Sequence, residues 1–342
     1  MKKVVAILVN DVHLNKDNGE LVKSIFKQLV KICKDNGTNN IICGGDVFTS
    51  RSGQPLSCLT DWKDVLKLLT KNKIKFHVIP GNHDKTDKDS EKSYLEVFSE
   101  DCQFLYRNAT NVHIGGVDFT FIPYFGDIRW LEEFNGLEFD FSCPNVLVTH
   151  MGFDGVKNND GSEIESTIKP SMFKKFTNVL IGHYHNASKL AKNVHYTGSA
   201  YQNNYGETIS DKGCTLIFND GTIQHKSLKF PKYIKEVIDV NDSESLRELL
   251  ERYEGNETDN IRFIFRGKKV DANKVDISFL ASKGIDAKFE AIEVEEAIQL
   301  SEDEGVVSYD KKVLTKDFVK FCSENSIKGK YLKYGMDLIR SL

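Results

Sequence analysis

Five short stretches carry the residue types of metal and phosphate chemistry, each directly after an apolar run. They are Asp11-Val12-His13, Gly45-Asp46, Gly81-Asn82-His83-Asp84, Thr149-His150 and Gly182-His183-Tyr184-His185. Mixed carboxylate, imidazole and amide donors suit borderline cations such as Mn²⁺, Fe²⁺ or Zn²⁺ better than Mg²⁺ or Ca²⁺. In Asn82-His83 the amide oxygen can ligate a cation while the neighbouring imidazole, with an ordinary pKa of about 6.5, stays free as an acid. Taken singly, each stretch is an ordinary turn or capping sequence. Their shared place at predicted strand ends changes the reading, because one sheet edge can bring them together. A shared carboxylate can hold two cations about 3.5–4 Å apart, a pair suited to in-line hydrolysis of a phosphate ester.

Hydrophobic patterning supplies the elements that must position these groups. Val4 to Val9 reads as a buried strand, and Leu21, Ile25, Leu29 and Ile32 mark a helix from Glu20 to Asp35 with Gly37 closing it. Ile41 to Cys43 is a second strand, Leu59 to Leu69 a second helix, and Phe76 to Ile79 a third strand. Such β-loop-α units predict an α/β sheet whose site collects at the carboxyl edges of its strands. After a helical Ser93 to Phe98 the pattern turns to β: Val112 to Ile114, Val117 to Ile122, Asn145 to Val148, Val179 to Ile181 and Val194 to Tyr196. Cys214 to Phe218 and Ile223 to Phe230 follow, joined by the turn Asn219-Asp220-Gly221. These strands predict a second sheet packed on the first.

From Pro231 the metal-binding pattern stops. Ser243 to Tyr253 and Val270 to Ser282 are helical in pattern, and Ile261 to Phe265 and Ala287 to Val294 are strand-like, together a small α+β module. Between Glu290 and Asp310 stand eight acids and no Lys or Arg, the composition of a solvated tether. Two short helical patterns, Leu314 to Ser323 and Lys328 to Ser341, carry an apolar stripe that needs a surface to cover it. The expected organisation is thus 1–230, 231–294 and 295–342.

Composition bounds the remaining possibilities. The 342 residues, 40% of them hydrophobic, suffice for a large core, and the chain has neither a membrane-length apolar run nor a signal-peptide pattern. A cytoplasmic protein is expected. Seven scattered cysteines suit buried thiols in a reducing compartment and show no zinc-knuckle spacing. With a net charge of −4, any nucleic-acid binding must come from a local basic surface.

In their order the five stretches resemble the motifs D-x-H, G-D, G-N-H-[DE], H and G-H-x-H of the calcineurin-like metallophosphoesterases. The resemblance implies an α/β/β/α sandwich of two sheets flanked by helices. It also implies a first cation held by Asp11, His13, Asp46 and His185, and a second by Asp46, Asn82, His150 and His183. His83, unligated in this scheme, would protonate the leaving oxygen, and Asp84 would orient it by a hydrogen bond.

Two further segments narrow the family. Gly45-Asp46-Val47-Phe48 with Arg51, and Tyr196-Thr197-Gly198-Ser199 with Gly206-Glu207 and Lys212-Gly213, resemble the SbcD-type double-strand-break repair nucleases. With its capping module, tether and terminal helices, the layout is similar to the recombination nuclease subunits of tailed phages. That resemblance implies an enzyme with two metal ions, Mn²⁺ by analogy, acting on double-stranded DNA ends as a 3′–5′ exonuclease and also as an endonuclease. It further implies a homodimer working with an SbcC-like coiled-coil ATPase, which the C-terminal helices would grip. The helix Leu59 to Leu69 with Trp62 is a candidate dimer surface, unless Trp62 is core. Arg51, Lys85, Lys88 and Lys92 lie near motif loops and are candidate contacts to DNA phosphates.

Thr49 stands where the family often has His or Asp, and Asn10 where a small residue is common; neither removes a ligand. Two rivals stand beside the nuclease reading: a phosphomonoesterase or phosphodiesterase for small molecules, and a non-catalytic scaffold. The complete ligand set weighs against the scaffold.

Overall fold

The computed structural model describes residues 1–102, 104–157, 162–242, 250–253, 258–269, 275–282, 286–291 and 311–324, with a few further positions between and beyond them. Its first elements are β1 (Val4–Val9), α1 (Gly19–Asn36), β2 (Asn40–Cys43), α2 (Leu56–Lys71) and β3 (Lys75–Val78). α1 buries Val22, Ile25, Phe26, Leu29 and Ile32 along one face and ends at Gly37, whose φ of 66° needs a residue without a Cβ. The short β4 (Phe104–Leu105) follows a 3₁₀ turn at Tyr94–Phe98, where a helix was expected.

Next come β5 (Thr110–Ile114), β6 (Val117–Ile122), α3 (Asp127–Asn135), β7 (Asn145–His150), β8 (Asn178–Gly182), β9 (Ser188–Ala191) and β10 (Val194–Tyr196). β11 (Gly213–Phe218) and β12 (Ile223–Ser227) complete this part of the chain. Two six-stranded sheets result, ordered β12-β11-β1-β2-β3-β4 and β5-β6-β7-β8-β10-β9. Strands β1 to β4 run parallel, as do β6, β7, β8 and β10. The fold is the expected two-sheet sandwich with helices.

Three apolar clusters account for the layering. Val5, Leu8, Ile42, Phe119, Phe121, Val146 and Leu180 meet between the sheets. Ile7, Val9, Ile41 and Phe76 point the other way, onto α1 and α2, while Trp130, Phe153 and Phe173 cover the outer face of the second sheet. Strands covered on both faces read as continuous apolar runs, which explains why they stand out in the sequence. Trp62 is fully buried, its ring 5.4 Å from Phe26 and 5.8 Å from Phe76. It belongs to the core and offers no surface to a second copy.

Sheet membership departs from expectation at one point. β11 and β12 were assigned to the second sheet, but β11 pairs antiparallel with β1, Thr215 opposite Leu8, and extends the first sheet. An apolar strand pattern is the same whichever sheet receives it. α3 is a helix the sequence reading does not include, although Trp130, Leu131 and Phe134 stand at helical spacing within its nine residues.

Residues 1–291 form one compact unit and 292–342 another. Within the first, β13 (Tyr233–Asp239), β14 (Asn260–Gly267) and β15 (Asp286–Ala291) make a parallel sheet that buries Phe263 and Phe265 against Ile238 and Leu280, the latter on α4 (Ile277–Ser282). β13 was not anticipated; only Ile238 among its seven residues is buried. In the second unit α5 (Lys311–Glu324) matches the expected Leu314 to Ser323 helix. The acidic tether, most of Ser243 to Tyr253 and most of Lys328 to Ser341 lie outside the described residues. Among the described residues no helix is long and apolar enough to cross a membrane.

Candidate metal centre

Asp11 and His13 follow β1, Asp46 follows β2, and Asn82, His83 and Asp84 follow β3. His150 ends β7, and His183 and His185 follow β8. Parallel strands aim these loops at one edge, and backbone bonds continue between them: Asp11 N donates to Gly45 O (3.1 Å) and His13 N to Asp46 O (3.0 Å). Five non-glycine residues among those described have positive φ, and four of them are Asp11, His13, Asp46 and His183. Each such conformation costs about 1–3 kcal/mol and persists only where the surroundings impose it. Gly81 is required for a related reason, since a Cβ there would sit 2.3 Å from the Asp46 nitrogen.

The side chains converge in two groups, Asp11 with His13 and His185, and Asp46 with His150 and His183, the ligating atoms of each group within 4.8 Å of one another. Asp46 Oδ2 lies between the groups, 3.2 Å from His150 Nε2 and 3.7 Å from His13 Nε2. Asn82 Oδ1 joins the second group, 3.0 Å from His150 Nε2 and 2.8 Å from His183 Nδ1. The side chains named as ligands from the sequence therefore lie together at one edge, in two groups that adjoin at Asp46.

Imidazole nitrogens, an amide and a carboxylate meet here at close range. His150 Nδ1 donates to Gly44 O (2.9 Å), which leaves its Nε2 facing Asn82 Oδ1 and Asp46 Oδ2, where it holds a proton against the Asp46 carboxylate that a cation would displace. His185 Nδ1 is bound to Glu207 (2.7 Å), so its Nε2 lone pair meets His13 Nε2 at 2.9 Å. Burial holds the pKa of His13 and His183 down to about 3, keeping both rings neutral as ligation requires. Burial would raise Asp46, but the charge on His150 outweighs it and holds the carboxylate ionised; the same pair lifts His150 to about 9. Converging imidazole and amide donors about a shared carboxylate fit a pair of divalent cations.

His83 stands outside both groups. Its Nδ1 donates to Thr49 O (2.5 Å), and its Nε2 lies 3.5 Å from an Arg51 nitrogen. Thr49 thus holds His83 through its backbone oxygen, while its hydroxyl donates to His13 O (2.7 Å).

A calcineurin-like phosphoesterase model matches residues 5–267. The chain belongs to that family. Among this phosphoesterase's relatives is protein 244L of Invertebrate iridescent virus 6, named as a phosphoesterase, 25% identical over 68% of this chain and 82% of that protein. Exonuclease subunit 1 of Enterobacteria phage T4 is 24% identical over 70% of this chain and 74% of its own length. The solved nuclease MPE of Pseudomonas putida is 16% identical and covers 65% of this chain and 87% of its own, at a TM-score of 0.30, too loose a superposition to carry weight.

In this phosphoesterase Asp84 does not touch the His83 ring, contrary to expectation. Fully buried, it accepts from Gly81 N (2.9 Å), Phe48 N (3.0 Å) and Val47 N (3.2 Å), bracing the Asp46 and Asn82 loops against each other. Burial and then the charge of Asp46 push its carboxyl above the ordinary range, against the pull of those three N–H donors. Of the candidate DNA contacts, Arg51, Lys88 and Lys92 are exposed. Lys85 is buried, its ammonium bound to Tyr124 O (2.6 Å) and over the Phe125 ring, so the expected phosphate contact there is corrected to a structural one.

Two cavities open beside the second group. One of about 510 Å³ is lined by Arg51, Asn82, Lys88 and Tyr124; the other, about 740 Å³, by His183, Tyr184, Lys88 and Tyr124. Lys92 lines neither. Glu207 stands in the motif Gly206-Glu207 with no role that the sequence assigns; the one signal is Lys212 five residues on, an opposite charge within the same motif.

Proposed function

We propose that this phosphoesterase is a metal-dependent nuclease that hydrolyses phosphodiesters of double-stranded DNA, from 3′ ends and internally, with two Mn²⁺ ions as its working metals. The observation that carries the reaction class is the pair of side-chain groups meeting at Asp46, with one imidazole, His83, held outside both. Cations bound there would polarise the phosphate and lower the pKa of a water. Asp11, His13, Asp46 and His185 would hold one, and Asp46, Asn82, His150 and His183 the other. Because Nδ1 of His83 is committed to Thr49 O, Nε2 is the nitrogen that would deliver a proton to the leaving oxygen. Arg51, beside that nitrogen, is placed to take a phosphate oxygen.

The choice of DNA rests on the likeness to the phage T4 exonuclease subunit and on exposed Arg51 and Lys88 at the rim. In this reading the module over 231–294 caps the centre, and residues 295–342 tether and dock an SbcC-like coiled-coil ATPase. The enzyme acts as a homodimer in DNA recombination, repair or replication in the cytoplasm.

The test is degradation of an end-labelled linear duplex by the purified chain with Mn²⁺. His83→Ala is expected to keep Mn²⁺ binding, measured by calorimetry, and to lose about 10²- to 10⁴-fold in turnover. Intact DNA alongside hydrolysis of a small phosphodiester would overturn the DNA reading, and a fully active His83→Ala would remove that residue from the reaction.

A further inference from the structure

The loop from Tyr201 to Lys212 contributes no ligand to the centre, yet it grips one. Glu207, 8% exposed, accepts from His185 Nδ1 at 2.7 Å through one oxygen. Its other oxygen accepts from Asn203 N (3.1 Å) and lies 3.3 Å from the Lys212 ammonium. Lys212, only 1% exposed, donates in turn to the backbone oxygen of His185 (2.5 Å). A lysine and a glutamate are rarely buried this deeply unless they are paired. Here the pair closes on both the ring and the main chain of one histidine.

The same loop carries the small parallel sheet. Gln202, 2% exposed, donates to Glu207 O (2.8 Å) and to Tyr233 O (3.0 Å), and its own oxygen accepts from Tyr233 N (2.8 Å). Tyr233 is the first residue of β13, so one side chain stitches the Glu207 backbone to the sheet's first strand. Tyr205 adds a second attachment, its ring edge-on to Tyr233 at 5.0 Å and under Arg262 of β14 at 4.1 Å.

We infer that Glu207 is a positioning residue for His185, and that the loop Tyr201 to Lys212 is the joint through which the small module bears on the metal centre. The inference rests on the reading of that centre as a cation site. A carboxylate on Nδ1 fixes the tautomer that presents the Nε2 lone pair and makes it a better donor. Displacing the module pulls on Gln202, loosens Glu207 and weakens the hold on the cation at His185. By reciprocity, loading that cation stiffens the module's attachment.

The experiment titrates Mn²⁺ alone into the full chain by calorimetry and follows the His185 ring nitrogens by NMR in metal-free protein. Glu207→Ala is expected to weaken one binding event about 10- to 100-fold, the other far less. Its His185 should leave the Nδ1–H tautomer, a change that a merely structural role would not produce. Glu207→Gln, nearly isosteric and still able to accept from Nδ1–H, should recover part of the affinity and guards against loss of folding. Gln202→Ala, which contacts no ligand, should weaken the same event by a smaller factor. Wild-type affinity and tautomer in both Glu207 variants would overturn the positioning role, and unchanged affinity in Gln202→Ala would overturn the joint. A wild-type chain that binds no divalent cation would instead overturn the reading of the centre itself.

Discussion

Asp84 offers a sharp test of how the centre is built. Its carboxylate takes three buried backbone N–H groups, from Val47, Phe48 and Gly81, on the two loops that carry Asp46, Asn82 and His83. An Asn has one carbonyl oxygen. With that oxygen in the Oδ2 place, Val47 and Gly81 remain satisfied, but the Phe48 N–H faces an NH₂ group. One buried donor left without a partner costs about 1–3 kcal/mol, the smallest loss available to Asp84→Asn. Asp84→Ala orphans all three donors and leaves a cavity besides, so at least about 3 kcal/mol is expected. Because the strain falls on ligand-bearing loops, Mn²⁺ affinity should fall along with stability. Urea unfolding followed by circular dichroism gives the first quantity and calorimetric titration the second. An Asp84→Asn protein within about 0.5 kcal/mol of wild type, ordinary for a surface change, and with undiminished Mn²⁺ affinity would refute the bracing argument.

Three other perturbations probe separate parts of the molecule. His77 lies against Phe104 and bonds to the Tyr106 hydroxyl, and burial holds its pKa down to about 4. Between that value and the unfolded 6.5 the unfolded chain binds the extra proton, so stability falls as pH falls. The loss attributable to this residue is about 1.3 kcal/mol from pH 7.5 to 5.5. His77→Gln should flatten the urea-measured pH profile by that amount; an identical profile would count against the assignment. Trp62→Ala is expected to cost about 3–5 kcal/mol without changing the oligomeric state seen by light scattering, whereas a loss below about 1 kcal/mol would contradict its place in the core. Arg51→Gln should lower the salt slope of DNA binding by about one, the signature of a lost phosphate contact, and an unaltered slope would remove Arg51 from the interface.

The chemistry of this protein was written in its sequence because of where the reactive residues fall. Acids, amide and imidazoles that follow apolar runs mark strand ends, and a parallel sheet delivers its strand ends to one edge, so Asp11, His13, Asp46, Asn82, His150, His183 and His185 could be assembled before any coordinates. α1 and its closing Gly37 were readable for the same kind of local reason, a periodic stripe followed by a left-handed terminus. What the sequence could not determine were partners chosen across the fold. A backbone carbonyl has no sequence signature, which hid the Thr49 oxygen that holds His83 and left Asp84 with the wrong role. Apolar patterning says that a strand is buried, not against what, so β11 and β12 changed sheets. Charge alone says nothing of depth: Lys85 looked like a phosphate contact, and Glu207 and Lys212 belonged to a motif without a role, until packing placed all three inside. Local residue type decides what a side chain can do. Only the tertiary contacts, by setting burial and the atom opposite, decide what it does.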